Sequence, residues 1–244
     1  MQASQERSTR GYTSVIQDLG RRKHWQQALD TISEMRQREV EPNIISYGAA
    51  IAACAKGGHW RNAAGMLSDA HRRGVEVDVI AYNAAMSACE KGAQWHAAMG
   101  VFSQMRKGNM EPNVITFNAA MSTCEKGSRW QDALDKLWEI QQCQLDPTVI
   151  SYAAAISACE KAARWQEAWL VFIDMKRLSK DPDVVCYSAA ISASAKGGRW
   201  LEAMGLMQQL RLRGWEPDVI LYSAAISACE KGAHWQGALG MLAE

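Results

Sequence analysis

Residues 79–113 read VIAYNAAMSACEKGAQWHAAMGVFSQMRKGNMEPN, and this stretch decides the fold. In its first half Val79, Tyr82, Met86 and Cys89 fall at spacings of three, four and three, one face of an α-helix. Lys91 favours the negative end of the helix dipole, and Gly92 is expected to supply the left-handed residue that stops the helix. In the second half Trp95, Ala98, Met99, Phe102 and Met105 again share one helical face. The segment KGNMEPN closes this second helix, and the residue after its proline is placed to cap the next one. No alternating strand pattern occurs anywhere in the chain.

The same marks return every 35 residues on either side. Tryptophan recurs as Trp25, Trp60, Trp95, Trp130, Trp165, Trp200 and Trp235, and an aromatic as Tyr12, Tyr47, Tyr82, Phe117, Tyr152, Tyr187 and Tyr222. Proline recurs at 42, 112, 147, 182 and 217, with Val77 in the one remaining place. A fixed period of this length marks an array whose units bury their apolar faces against one another. The expected division is a leader, 1–8, then repeats 9–43, 44–78, 79–113, 114–148, 149–183 and 184–218, and a partial repeat 219–244. The expected fold is all-α, a right-handed α-solenoid of stacked two-helix 35-residue repeats, with the seven tryptophans buried between helices. Ala28, Ala63, Ala98, Ala133, Ala168, Ala203 and Ala238 fit a close helix approach, and Gly65, Gly100, Gly205 and Gly240 each cost about 1 kcal/mol against alanine. The last repeat stops inside its second helix with no polar capping helix, which reads as a segment of a longer array.

Composition narrows the function. In 244 residues, 27 Lys and Arg meet 26 Asp and Glu, so the net charge of +1 argues against a polyanion-coating role. Five prolines and a 22% charged fraction argue against disorder. No apolar run approaches the ~18 residues of a membrane span, and the opening MQASQERSTR shows no targeting peptide.

Cys54, Cys89, Cys124, Cys159 and Cys229 share one helical position, with Ser194 in the sixth. Stacked helices lie roughly 9–10 Å apart, whereas a disulfide needs Cα atoms within about 7 Å. These cysteines therefore read as small core thiols, in a reducing compartment. His24, His59 and His234 alternate with Gln94, Arg129, Arg164 and Arg199 before the tryptophan, which reads as a solvated turn. With no nucleophile–base pair, phosphate loop or ligand spacing, the chain is expected to be no enzyme, with no metal, cofactor or small-molecule substrate.

A 35-residue two-helix unit with tyrosine near its start, Lys-Gly between the helices and Pro-Asp or Pro-Asn at its end resembles the pentatricopeptide repeat, over residues 9–244. Tetratricopeptide units have 34 residues and place their tryptophan in the first helix. The resemblance implies modular binding of single-stranded RNA, one base per repeat. It implies a role in organellar RNA processing, stability or translation, in a mitochondrion or chloroplast, with other RNA-processing proteins as further partners. The alternative is a scaffold that binds a peptide in the concave face, as tetratricopeptide arrays do.

The resemblance also assigns residues. The fifth and last residues of a unit would read a base together: Thr13 with Asn43, Gly48 with Asp78, Asn83 with Asn113, Asn118 with Thr148, Ala153 with Asp183, Ser188 with Asp218, and Ser223 alone. It implies adenine for Thr13/Asn43, a pyrimidine with cytosine favoured for Asn83/Asn113, and guanine for Ser188/Asp218. Gly48 and Ala153 leave their repeats without readout. Ile45, Ile80, Ile115, Ile150, Val185 and Ile220 would stack on bases, and Arg21, Lys56, Lys91, Lys126, Lys161, Lys196 and Lys231 would meet phosphates. Each set has a plainer reading that the sequence leaves open: core packing, helix capping and helix-dipole complementation respectively.

Overall fold

The computed structural model describes the backbone of residues 2–242 and the side chains of residues 9–240. Among the described residues there are fourteen α-helices and no strand. Two compact units divide the chain, Met1–Thr123 and Cys124–Glu244. The first holds α1 (Gln2–Arg21), α2 (Trp25–Gln37), α3 (Ile44–Lys56), α4 (Trp60–Arg72), α5 (Val79–Lys91) and α6 (Trp95–Lys107). The unit boundary falls within α7 (Val114–Lys126). The second holds α8 (Trp130–Gln142), α9 (Val149–Lys161), α10 (Trp165–Arg177), α11 (Val184–Lys196), α12 (Trp200–Leu212), α13 (Val219–Lys231) and α14 (Trp235–Leu242).

Each unit has two layers. In the first unit α1, α3 and α5 pack side by side, while α2 and α4 each wedge between two of them. In the second unit α9, α11 and α13 form the equivalent tight layer, backed by α10 and α12. The tight layer is built from small residues: Ala50, Ala85, Ala155, Ala190 and Ala225 are buried on it, and Ala28, Ala63, Ala98, Ala133, Ala168 and Ala203 are buried on the even helices. Tyr47, Tyr82, Phe117, Tyr152 and Tyr187, with Phe172, are the largest side chains fully inside. Cys54, Cys89, Cys124, Cys159 and Cys229 are buried free thiols, as the packing distance requires; Cys186 is buried too, and Cys143 alone is exposed.

Chain punctuation follows a fixed chemistry. α3, α5, α9, α11 and α13 begin at an extended residue whose side chain accepts the N–H of the third helical residue, as Asp78 does from Ala81 at 2.9 Å, and Asn113 accepts likewise before α7. The end of α5 differs from the sequence expectation. Gly92 has φ −80°, an ordinary helical value, and the left-handed residue is Ala93 at φ +50°. The glycine serves space instead: a Cβ at Gly92 would stand 2.6 Å from Cδ1 of Trp60 in the preceding repeat.

That contact also corrects the expected burial of the tryptophans. Trp25, Trp60, Trp95, Trp130, Trp165 and Trp200 are only half-buried, and Trp235 is 67% exposed. Each opens an even helix at the rim, where its indole covers a turn rather than filling the core that the tyrosines occupy. The residue before the next tryptophan stacks on it: His59 on Trp25 at 3.9 Å, Arg164 on Trp130 at 4.6 Å, Arg199 on Trp165 at 4.9 Å and His234 on Trp200 at 3.8 Å. His, Gln and Arg exchange at this position because it makes no side-chain cap and needs only a flat or cationic group.

A second ladder joins the tyrosines. The Tyr47 hydroxyl donates to Asp69 at 2.8 Å and accepts from Arg36, which also pairs with Asp69. Burial opposes ionisation of Asp69, but the Tyr47 hydroxyl and the Arg36 and Arg73 guanidiniums outweigh it and hold its carboxyl below the ordinary value. At Tyr187 the flanking pair bypasses the ring: Lys176 donates to Gln209 at 2.7 Å, and the buried Tyr187 hydroxyl is without a partner.

Candidate nucleic-acid interface

From the second repeat onward the second residue lies in the first turn of its odd helix and outside the core. Ile45, Ile80 and Ile115 in the first unit, and Ile150, Val185 and Ile220 in the second, are between 55% and 76% exposed. Core packing is therefore excluded for these side chains. In the first unit Ile45 and Ile80 border a groove of about 540 Å³ along α1, α3 and α5, together with Arg21, Gly48, Lys56 and Asp78. The groove thus gathers members of all three expected sets: stacking, reading and cationic.

The last residue of each repeat is a helix cap. Asn43, Asp78, Asn113, Thr148, Asp183 and Asp218 accept from the backbone N–H of Ser46, Ala81, Thr116, Ser151, Cys186 and Leu221. Capping consumes one lone pair of each side chain and leaves its other polar atoms for further bonds; Asp78 lines the groove of the first unit. Asn83 and Asn113 are in contact, Nδ2 of Asn83 donating to Oδ1 of Asn113 at 3.4 Å. Thr13 is buried and linked to Asn43 through Ser46, whose Oγ lies 2.9 Å from Thr13 Oγ1 and 3.1 Å from Asn43 Oδ1. Ser188 and Ser223 turn their hydroxyls onto their own helices, donating to the carbonyls of Val184 and Val219. Asn118 is half-buried one turn inside α7.

The cations are committed more than the sequence suggests. Lys91 donates to the Ala55 carbonyl at the end of the preceding odd helix. Lys161 pairs with Glu125 at 2.9 Å, and Lys196 with Glu160 at 2.7 Å. Arg21 pairs with Asp18, and Lys56 and Lys231 are exposed. The basic stripe therefore doubles as a repeat-to-repeat tie.

Sequence reasoning missed the hydroxyls at the third helical position, Ser46, Thr116 and Ser151. Thr148 and Ser151 form a reciprocal capping box, a signal present in the sequence as Thr-x-x-Ser.

Models of one repeat family match this chain in overlapping pieces. The pentatricopeptide repeat domain matches residues 65–126, the PPR repeat family residues 7–56 and 147–196, and the PPR repeat residues 45–75 and 185–215. The chain belongs to the pentatricopeptide repeat family. Solved structures with this repeat share the fold. The maize pentatricopeptide repeat protein PPR10 is 24% identical with a TM-score of 0.68, over 96% of this chain and 34% of that one. PPR10 in complex with an 18-nt psaJ RNA element is 21% identical with a TM-score of 0.58, over 94% of this chain and 38% of that one. The PPR domain of Arabidopsis thaliana protein-only RNase P 1, in complex with tRNA, is 19% identical with a TM-score of 0.64, over 76% of this chain and 94% of that one. The chain thus spans about a third of the length of the maize protein. No curated protein sequence matches it. Among the described residues no helix is long and apolar enough to cross a membrane.

Proposed function

We propose that this chain is a sequence-selective binder of single-stranded RNA that works by recognition and not by catalysis, in organellar RNA processing, stability or translation. The observation that carries this reading is the exposed branched residue in six repeats, Ile45 through Ile220, with the contacting polar pair Asn83/Asn113 in the repeat that Ile80 belongs to. Water is a poor partner for six such side chains in register, whereas the faces of unstacked bases suit them. Two similar repeat structures support RNA binding: one bears an RNA element and one a tRNA. The reading places Thr13, Asn43, Asp78, Asn83, Asn113, Asn118, Thr148, Asp183, Ser188, Asp218 and Ser223 at base edges, with Arg21 and the lysines that end the odd helices on phosphates.

The peptide-scaffold alternative draws on the lysines that carboxylates already hold, Lys161 and Lys196. The deciding experiment is binding of a randomised single-stranded RNA pool at low salt, beside a duplex competitor. Selective retention of single strands supports the proposal. Absence of binding there would move the assignment to the scaffold.

A further inference from the structure

The reading pair Asn83/Asn113 is not free to orient itself. The backbone N–H of Thr116 donates to Oδ1 of Asn113 at 3.0 Å, a donor that no rotation can exchange, so the Asn113 amide is fixed. That same Oδ1 lies 3.4 Å from the Asn83 amide, and an oxygen facing it would be repelled; Nδ2 of Asn83 must point there. Oδ1 of Asn83 then faces Thr116, whose hydroxyl donates to it at 2.6 Å, the shorter of its two acceptor distances (Asn113 Oδ1 lies at 3.0 Å), and accepts from the Asn113 N–H at 3.3 Å. One backbone bond at a helix start thereby fixes three side chains in series. What these bonds leave turned to a ligand is the second N–H of Asn83 and the Nδ2 group of Asn113, while Oδ1 of Asn83, with its unused lone pair, is turned to the buried Thr116.

We propose that Thr116 is a positioning residue for base recognition: by holding Asn83 with its oxygen inward it gives this repeat a donor-only surface that accepts cytosine and disfavours uracil. The inference rests on the RNA-binding reading above. Cytosine presents two adjacent acceptors, O2 and N3, to such a surface. Uracil presents its N3–H, a donor, at the central point of the same edge, and would need Asn83 turned oxygen-outward. Thr116 is fully buried, so it reaches no base itself. The arrangement recurs in the first repeat, where Ser46 Oγ bridges Asn43 and Thr13. It is confined to neutral caps: Asn43, Asn113 and Thr148 are followed at the third helical position by Ser46, Thr116 and Ser151, whereas Asp78, Asp183 and Asp218 are followed by Ala81, Cys186 and Leu221.

The test uses the whole chain and a single-stranded RNA selected from a random pool. Asn83→Ala first identifies the nucleotide that faces this repeat, as the position whose preference it relaxes. Synthetic RNAs with cytosine or uracil only at that nucleotide are then titrated against wild type, Thr116→Val and Thr116→Ser. We expect wild type to favour cytosine on the order of tenfold, the scale of one good base contact. Thr116→Val should bring the ratio to about one, with affinity for the cytosine RNA reduced and preferences at other nucleotides intact. Thr116→Ser should restore the ratio. A ratio unchanged in folded Thr116→Val, a wild-type preference for uracil, or an equal loss at every nucleotide would each overturn the proposal. Absence of RNA binding by wild type would instead overturn the reading on which it rests.

Discussion

The indole of Trp165 occupies the space that a Cβ at Gly197 would need: built there, the atom would stand 2.4 Å from both Cδ1 and Cγ of the ring. Arg199 lies over the ring, and Ala162 in the equivalent place beside Trp130, under Arg164, shows that a Cβ is taken in only with the indole shifted. Gly197→Ala should therefore destabilise the array by about 1–3 kcal/mol, the usual scale of overpacking. The glycines inside even helices behave oppositely. A Cβ at Gly65, Gly100 or Gly205 meets nothing within 4 Å, so alanine there should stabilise by about 0.5–1 kcal/mol each. Thermal unfolding of Gly197→Ala and Gly100→Ala checks both signs at once.

The tyrosine ladder makes a second paired expectation. Tyr47→Phe removes a hydroxyl that serves both Asp69 and Arg36, and should cost about 1–2 kcal/mol. Tyr187→Phe removes a buried hydroxyl without a partner, and should be neutral or stabilising by up to about 1 kcal/mol. Phe117 shows that the site accepts phenylalanine. Urea denaturation of the two variants, compared with wild type, measures the difference.

Burial pushes the thiols of Cys54 and Cys89 up to about 11 and those of Cys159 and Cys186 up to about 12. A thiol raised in the folded state stabilises the fold below its unfolded value near 9 and loses that contribution as the pH climbs toward the folded value. Stability should hold up to about pH 9 and decline from there to pH 12, followed by circular dichroism. In the native protein at neutral pH a maleimide should label Cys143 rapidly and the buried cysteines only after unfolding, as read by mass spectrometry.

Seven cations were candidates for phosphates, and at ~0.7 per contact they set a ceiling of about 5 on the fall in log K per decade of salt. Lys91, Lys161 and Lys196 are already engaged by the preceding repeat, which lowers that ceiling to about 3. A titration of RNA affinity against salt should give a slope at or below this value. A slope near 5 would mean that the lysines leave their partners on binding.

Much of this was legible in the period alone. Tyrosine, proline and tryptophan at one interval gave the helix pairs, and the residue after proline gave the caps, because both depend on neighbours within a few positions. The role of Gly92 and Gly197 was not legible, since the indole that excludes a side chain there belongs to the preceding repeat. The same distance in sequence hid the stacking of Arg199 on Trp165. The exposure of Ile80 could not be separated from core burial, because a branched aliphatic residue beside Val79 suits either face of a helix. The hydroxyl of Thr116 escaped notice because its value lies in joining Asn83 to Asn113, residues that only the fold brings together.

The cap at each repeat junction has an evolutionary consequence. Asn43, Asp78, Asn113, Thr148, Asp183 and Asp218 each start the helix of the following repeat, so a substitution is screened for helix initiation before any ligand is met. Only a few short polar side chains pass that screen, and loss of one costs about 1 kcal/mol. The fifth residue, as Gly48, Asn83 and Ala153 show, is under no such constraint. Any recognition alphabet written in these repeats is therefore lopsided: one letter of each pair is drawn from a handful of residues by the backbone, and the other is left to drift until a ligand selects it.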